Sequence, residues 1–165
     1  MKKLLFILVL ISISFGQYLH NSTVHIRGYQ KADAVPYADS TATGRVAEFT
    51  AGETLNFGDV VYLKSDGEMY LIDADAEATL PGVYMALDGI TDGDDGLFLV
   101  NGWVRNDAWN FTVGIMLYAS LVGTTGNTIT ETRPTVAGDY VQLLGFALSA
   151  DVMNFQPNIM LIKLN

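Results

Sequence analysis

Cysteine is missing altogether, so the chain has neither a disulfide framework nor a thiolate metal site, and its stability rests on burial and on association. Histidine is nearly missing. Only His20 and His25 occur, five apart with no third ligand type at zinc spacing, which leaves no donor set for a metal. Basic residues are scarce: nine Lys and Arg stand against 18 Asp and Glu, for a formal charge of -9. That balance repels phosphate backbones and anionic membranes and disfavours nucleic acid as a partner. Charged residues of either sign make up only 16% of the chain, against roughly 25% in an average soluble domain. Much of the surface is therefore uncharged, and part of it is expected to be covered by neighbours. Long apolar runs are lacking too. The longest, Leu4 to Ile13 with Ser12 its one polar residue, is well short of the roughly 20 residues a spanning helix needs, so no stable membrane anchor is expected.

Catalytic signatures are equally sparse. There is no Gly-x-Ser-x-Gly, both histidines precede the main domain, and a serine triad has no base in its neighbourhood. Neither a phosphate-cradling glycine loop followed by lysine nor a dinucleotide fingerprint occurs. Asp88, Asp92, Asp94 and Asp95 lie close in sequence with Gly93 and Gly96 among them, which invites a calcium reading. The run has no glutamate at the twelfth position and no alternating ligand register, so it reads as a solvated acidic turn. Asp73, Asp75 and Glu77 are a weaker group still. No catalytic residue, metal or cofactor is expected.

What the chain does hold is strand-forming material: sixteen glycines, eight Tyr, eight Phe and abundant Val, Leu and Thr, with only four prolines. Residues 1–16 have the shape of a secretory leader, with Lys2 and Lys3 ahead of the apolar run and small residues before Gln17. A retained apolar tail is the rival reading. Residues 17–44 change character, and the small-residue run KADAVPYADSTATG with Pro36 predicts an extended arm. From Arg45 the punctuation becomes regular. Asp59 to Lys64 and Glu68 to Ile72 flank Ser65, Asp66 and Gly67, where glycine supplies the positive φ of a tight hairpin turn. Residues 73–79 read as a helical turn or loop, Val83 to Leu87 as a strand, and Leu97 to Val100 and Trp103 to Arg105 as two strands separated by a bend at Asn101 and Gly102. Asn106 to Phe111 is an aromatic loop, Val113 to Ser120 a strand paired with Thr128 to Glu131, and Gly138 to Leu164 two or three closing strands interrupted at Pro157. The whole predicts an all-β domain over 45–165, a compact sandwich or closed barrel of about nine or ten short antiparallel strands.

The stretches "ATGRVAEFTAGETLNFGDVVYLKSDGEMYLIDADAEAT", "GIMLYASLVGTTGNTITETRP" and "GDYVQLLGFALSADVMNFQP" resemble a structural β-domain of tailed-bacteriophage virion proteins, of the head-decoration and tail-fibre C-terminal type. The resemblance spans roughly Gly44 to Leu164. It implies a virion component and carries over no active-site residue. Capsid or tail proteins are then the expected partners, and the leader departs from the pattern. Tyr62, Leu63, Met85, Leu87, Leu144 and Phe146 place apolar side chains on both faces of their strands, more than a lone domain of this size hides, so a homo-oligomer is expected, a trimer by preference. Trp103, Arg105, Trp109 and Phe111 form the candidate contact surface, since aromatics with an isolated arginine suit interfaces. The rival from another class is an exported bacterial surface or carbohydrate-binding module, secreted or cell-surface rather than virion-borne, with the same aromatics stacking on sugar rings.

Overall fold

A computed structural model describes residues 35–165; the leader, both histidines and the first part of the expected arm lie outside them. The described chain is all-β, with eleven strands and one 3-10 turn. In chain order the strands are β1 (Thr41–Thr50), β2 (Val60–Leu63), β3 (Met69–Leu71), β4 (Tyr84–Ala86), β5 (Asp95–Arg105), β6 (Met116–Ala119), β7 (Ile129–Thr130), β8 (Tyr140–Val141), β9 (Leu143–Ala147), β10 (Val152–Phe155) and β11 (Ile162–Lys163). Nine of them make one curled half-barrel sheet in the order β3-β2-β4-β5-β10-β9-β6-β7, with β1 on β5, while β8 and β11 form a small second sheet. Every strand pair is antiparallel.

The fold is organised around β5. Its eleven residues pair with β1 along nearly their whole length, and the opposite edge is divided between two partners. Phe98 and Leu99 take β4, and residues 102–105 take β10. That fork makes the sheet curl. The expected bend at Asn101 and Gly102 is a β-bulge within one continuous strand: the β1 register shifts between Arg45 and Val46, where Val100 is passed over. Beside it Gly44 faces Gly102 directly, and a Cβ on either would stand 2.1–2.2 Å from a carbonyl oxygen across the pair. Two strands come this close only because neither residue has a side chain. β1 begins at Thr41, ahead of the strand expected from Arg45, because the small residues Thr41 to Gly44 are drawn into the ladder by β5.

The β2–β3 hairpin stands as expected, with Gly67 at φ 93° in its turn. Residues 73–79 hold a 3-10 turn at Glu77–Thr79, and the strand expected from Val113 begins only at Met116. The closing stretch does break at Pro157, and for a reason the alternation alone does not reveal. β8 and β9 are one run of chain interrupted at Gln142, where it leaves the small sheet for the large one. Its neighbour makes the same crossing, since Gln156 N–H and Asn158 N–H donate to Leu144 and Leu143 carbonyls before β11 pairs with β8.

Two packed clusters lie on opposite faces of the sheet, because the adjacent residues Val60 and Val61, Met85 and Ala86, and Phe98 and Leu99 are divided between them. The larger gathers Val60, Leu99, Val104, Leu117, Leu144, Met153 and Phe155; the smaller gathers Ala51, Leu55, Val61, Met69 and Phe98. Each large side chain fully withdrawn from water contributes roughly 1.5–3 kcal/mol.

The far ends of the sheet approach each other through side chains. Val60 N–H donates to Thr128 Oγ1 at 2.9 Å, and Gly126 N–H donates to Asp59 Oδ1 at 2.6 Å. Asp59 Oδ2 also accepts from Asn56 N–H at 2.8 Å, so one buried carboxylate ties the entry of β2 to the turn before β7.

Candidate functional site

The four contact residues expected from the sequence divide between two places. Trp103 pairs with Thr43 on one side and Asn154 on the other; Asn154 pairs with Phe146, and Phe146 with Met116. Directly opposed residues share a face, so this row runs across the outer face of the sheet. Their neighbours Val104, Met153, Ala147 and Leu117 point inward and are buried. Arg105 stands two residues on from Trp103 on the same outer face. Its Nε donates to Asp107 Oδ1 at 2.6 Å, and its guanidinium reaches Asp151 at 3.7 Å. Asp107 N–H donates in turn to Asp39 Oδ1 at 2.7 Å, and that bond above all holds the Asp39 carboxyl below the usual range. Arg105 is therefore already engaged, and the Asp107 N–H fastens the segment before β1 to the end of β5.

Trp109 and Phe111 sit elsewhere. Past Asp107 the chain turns over the rim, Trp109 lies against Gly58, and its ring centroid is 5.1 Å from that of Phe111. Phe111 N–H donates to Ala150 O, and Thr112 N–H donates to the Glu131 carboxylate. The two aromatics border a cleft of about 400 Å³ whose other walls include Asn56, Phe57, Asn106, Thr128 and Ile129. No lining side chain carries a charge. Asn106 Oδ1 accepts Ala108 N–H, which leaves its amide hydrogens directed away from that bond.

The outer face continues into a groove of about 430 Å³ between Met116, Leu143, Gly145, Phe146, Gln156, Pro157, Asn158 and Ile159. None of these is ionisable. Met116 is 49% exposed, Phe146 36%, and Ile159 and its neighbour Met160 about 70% each. Leu148, on the same side of β9 as Phe146, is also exposed. Of the six residues expected to face both ways, Met85 and Leu144 are fully buried, Tyr62 and Leu87 half-buried, and Leu63 and Phe146 exposed.

Met116, Ile159 and Met160 were not legible as surface residues, yet a signal was there. From Val113 to Asn165 the only charged side chains are Glu131, Arg133, Asp139, Asp151 and Lys163. The acidity is crowded into the first two thirds of the chain.

The acidic residues make a third feature, a cleft of about 360 Å³ bordered by Glu48, Asp88, Asp94 and Asp95. Asp95 accepts from Thr50 Oγ1, and Asp88 from Gly89 N–H. Among the described residues no three His, Asp or Glu side chains stand together as a metal site, and no helix is long and apolar enough to cross a membrane.

No protein-family model matches this chain, and no curated protein or solved structure does.

Proposed function

We propose that the chain is a non-enzymatic structural protein of a phage-like particle, a capsid-decorating or fibre component that works by oligomeric docking. The observation that carries this reading is the uncharged apolar groove on the outer face of β6 and β9, left open to water in a chain of charge -9. An exposed face of that kind belongs against another surface. The sequence resemblance supplies the class of surface: copies of itself, and the shell or tail proteins of a virion. In this reading the curled sheet behaves as a compact closed barrel, its ends joined through Asp59 and Thr128, and it docks as a rigid unit of a trimer. The test is to purify particles from a culture carrying the gene and quantify the chain by mass spectrometry across a density gradient. Co-migration with the major shell protein at fixed stoichiometry supports the reading; recovery only in the soluble or cell-surface fraction defeats it. The native N-terminus, read in the same measurement, decides whether residues 1–16 are removed.

The cleft at Trp109 and Phe111 favours a second reading, an exported surface module that binds carbohydrate. Its walls are aromatic and carboxamide without charge, a lining that suits a neutral sugar ring stacked on indole and hydrogen-bonded at its edge. Titration of neutral oligosaccharides against tryptophan fluorescence tests it. A saturable change lost in Trp109→Ala supports the module; an unchanged spectrum across a glycan panel removes it.

A further inference from the structure

We infer that the groove on the outer face of β6 and β9 is the seat of a second copy of this chain. The inference rests on the docking reading above and names its occupant.

Size is the first argument. At the exposures given, Met116, Phe146, Leu148, Ile159 and Met160 leave on the order of 500 Å² of apolar surface in water, taking ~200 Å² for a fully exposed large side chain. A stable interface takes about 800 Å² from each partner, of which roughly 60% is apolar. The patch therefore matches the apolar share of one ordinary protein interface. It is the size of the largest apolar patch on a typical monomer, roughly 300–600 Å², which is often a functional surface.

Charge is the second. Two copies of a molecule with formal charge -9 repel wherever their acidic regions meet. The groove is where that repulsion is least, because none of its eight lining residues is charged and the segment from Val113 onward has three acids against two bases. A basic partner would find its complement at the Asp88, Asp94 and Asp95 cleft instead. A neutral apolar face on an acidic molecule fits another neutral apolar face, and a second copy brings one of the same size.

Construction is the third. Phe146 and Met116 are directly opposed across β9 and β6, and β9 is held by β10 on its other edge. The run from Gln156 to Asn158 is fixed to Leu143 and Leu144 by backbone hydrogen bonds. Both walls of the groove are thus set by ladder bonds, so a partner meets a preformed surface and little ordering entropy opposes docking.

The experiment uses the full chain with p-benzoylphenylalanine in place of Phe146, prepared once at natural abundance and once in nitrogen-15, then mixed and irradiated. The result expected is an oligomer by light scattering, with mixed-isotope crosslinks joining position 146 to the 113–164 region of the other copy. In the unmodified background, Met116→Lys combined with Ile159→Lys is expected to weaken association by at least tenfold, since each buried lysine would lack a counter-ion, while far-UV circular dichroism stays unchanged. Should the double variant fail to fold, the crosslinks alone decide. A wild-type chain that stays monomeric at every concentration overturns the inference. So do crosslinks confined to a single copy, crosslinks that land in residues 1–34, or lysines that leave the oligomer intact. Failure here does not touch the particle fractionation above, and a chain absent from particles would not undo a self-association seen here.

Discussion

Among single residues Gln142 bears the most structure. Fully buried at the crossing between the two sheets, its Nε2 donates to Gly82 O at 2.7 Å and Asn158 O at 2.9 Å, and its Oε1 accepts Gly82 N–H at 2.8 Å. One carboxamide replaces a missing piece of ladder. Gln142→Leu keeps the volume but strands the buried N–H and carbonyl of Gly82, so a loss of about 2 kcal/mol or more is expected from urea denaturation. Gln142→Glu separates polarity from size. It sets an oxygen against two carbonyls, so the variant should gain stability as its carboxyl protonates on acidification, a response the leucine variant lacks.

Asp59 has the opposite relation to pH from most surface carboxylates. Burial pushes its carboxyl above the usual value of 3.8, against the lowering effect of the N–H groups of Asn56 and Gly126. Asp73 shifts the same way, first by burial and then by the negative charges of Asp75 and Asp139. For such groups the native state binds more protons than the unfolded chain between the two pKa values, so stability falls as pH rises through that window. Asp39 and Asp66, held low by a backbone N–H and by Lys64 respectively, contribute stability that is lost only below 3.8. The thermal midpoint is therefore expected to rise as pH falls through the window just above the ordinary carboxylate value of 3.8, and to turn over below it. Asp59→Asn should flatten the descending limb. A midpoint that falls steadily from pH 7 downward would contradict this account.

At the scale of elements, the pairing of β1 with β5 decides how the sheet curls. Gly102 has φ 152°, and a Cβ there would lie 2.1 Å from Thr43 O and 2.8 Å from Gly44 Cα. Backbone on both sides leaves nothing soft to move. Gly102→Ala is expected to cost several kcal/mol, about 3 or more, by chemical denaturation. By contrast, alanine at Gly67 meets no atom within 4 Å and should cost only about 1 kcal/mol, through its positive φ. The same contrast explains what could be read from the chain. The β2–β3 hairpin was legible because its turn is made by three adjacent residues whose chemistry suffices. β1 before Arg45 was not, because Thr41 to Gly44 are small and polar and become a strand only through a partner some sixty residues away. Asn101 and Gly102 show a breaker locally and a bulge in context. Gln142 looked like one more position in an alternating strand, and nothing nearby in sequence announces Gly82 as its partner. Trp103 and Trp109 were grouped by proximity in sequence, whereas the rim turn at Asp107 sends them to different surfaces.

For the whole molecule, the separation of charge from grease makes the response to salt diagnostic. Long-range repulsion between copies at formal charge -9 opposes association, and added salt shortens its range from about 10 Å at 0.1 M to about 3 Å at 1 M. The β6–β9 groove contains no ion pair for salt to weaken, and burial of its apolar side chains is not screened. Self-association through that face should therefore tighten as sodium chloride is raised from about 0.02 to 0.5 M, read as a shift of the sedimentation-equilibrium curves to lower protein concentration. In the same series the thermal midpoint should climb with protein concentration, because assembly stabilises the folded state by mass action. An interface built on Arg105, Asp107 and Asp151, the ion-paired cluster on the same outer face, would loosen over that range. The sign of the salt effect thus distinguishes the apolar groove from the charged corner beside Trp103.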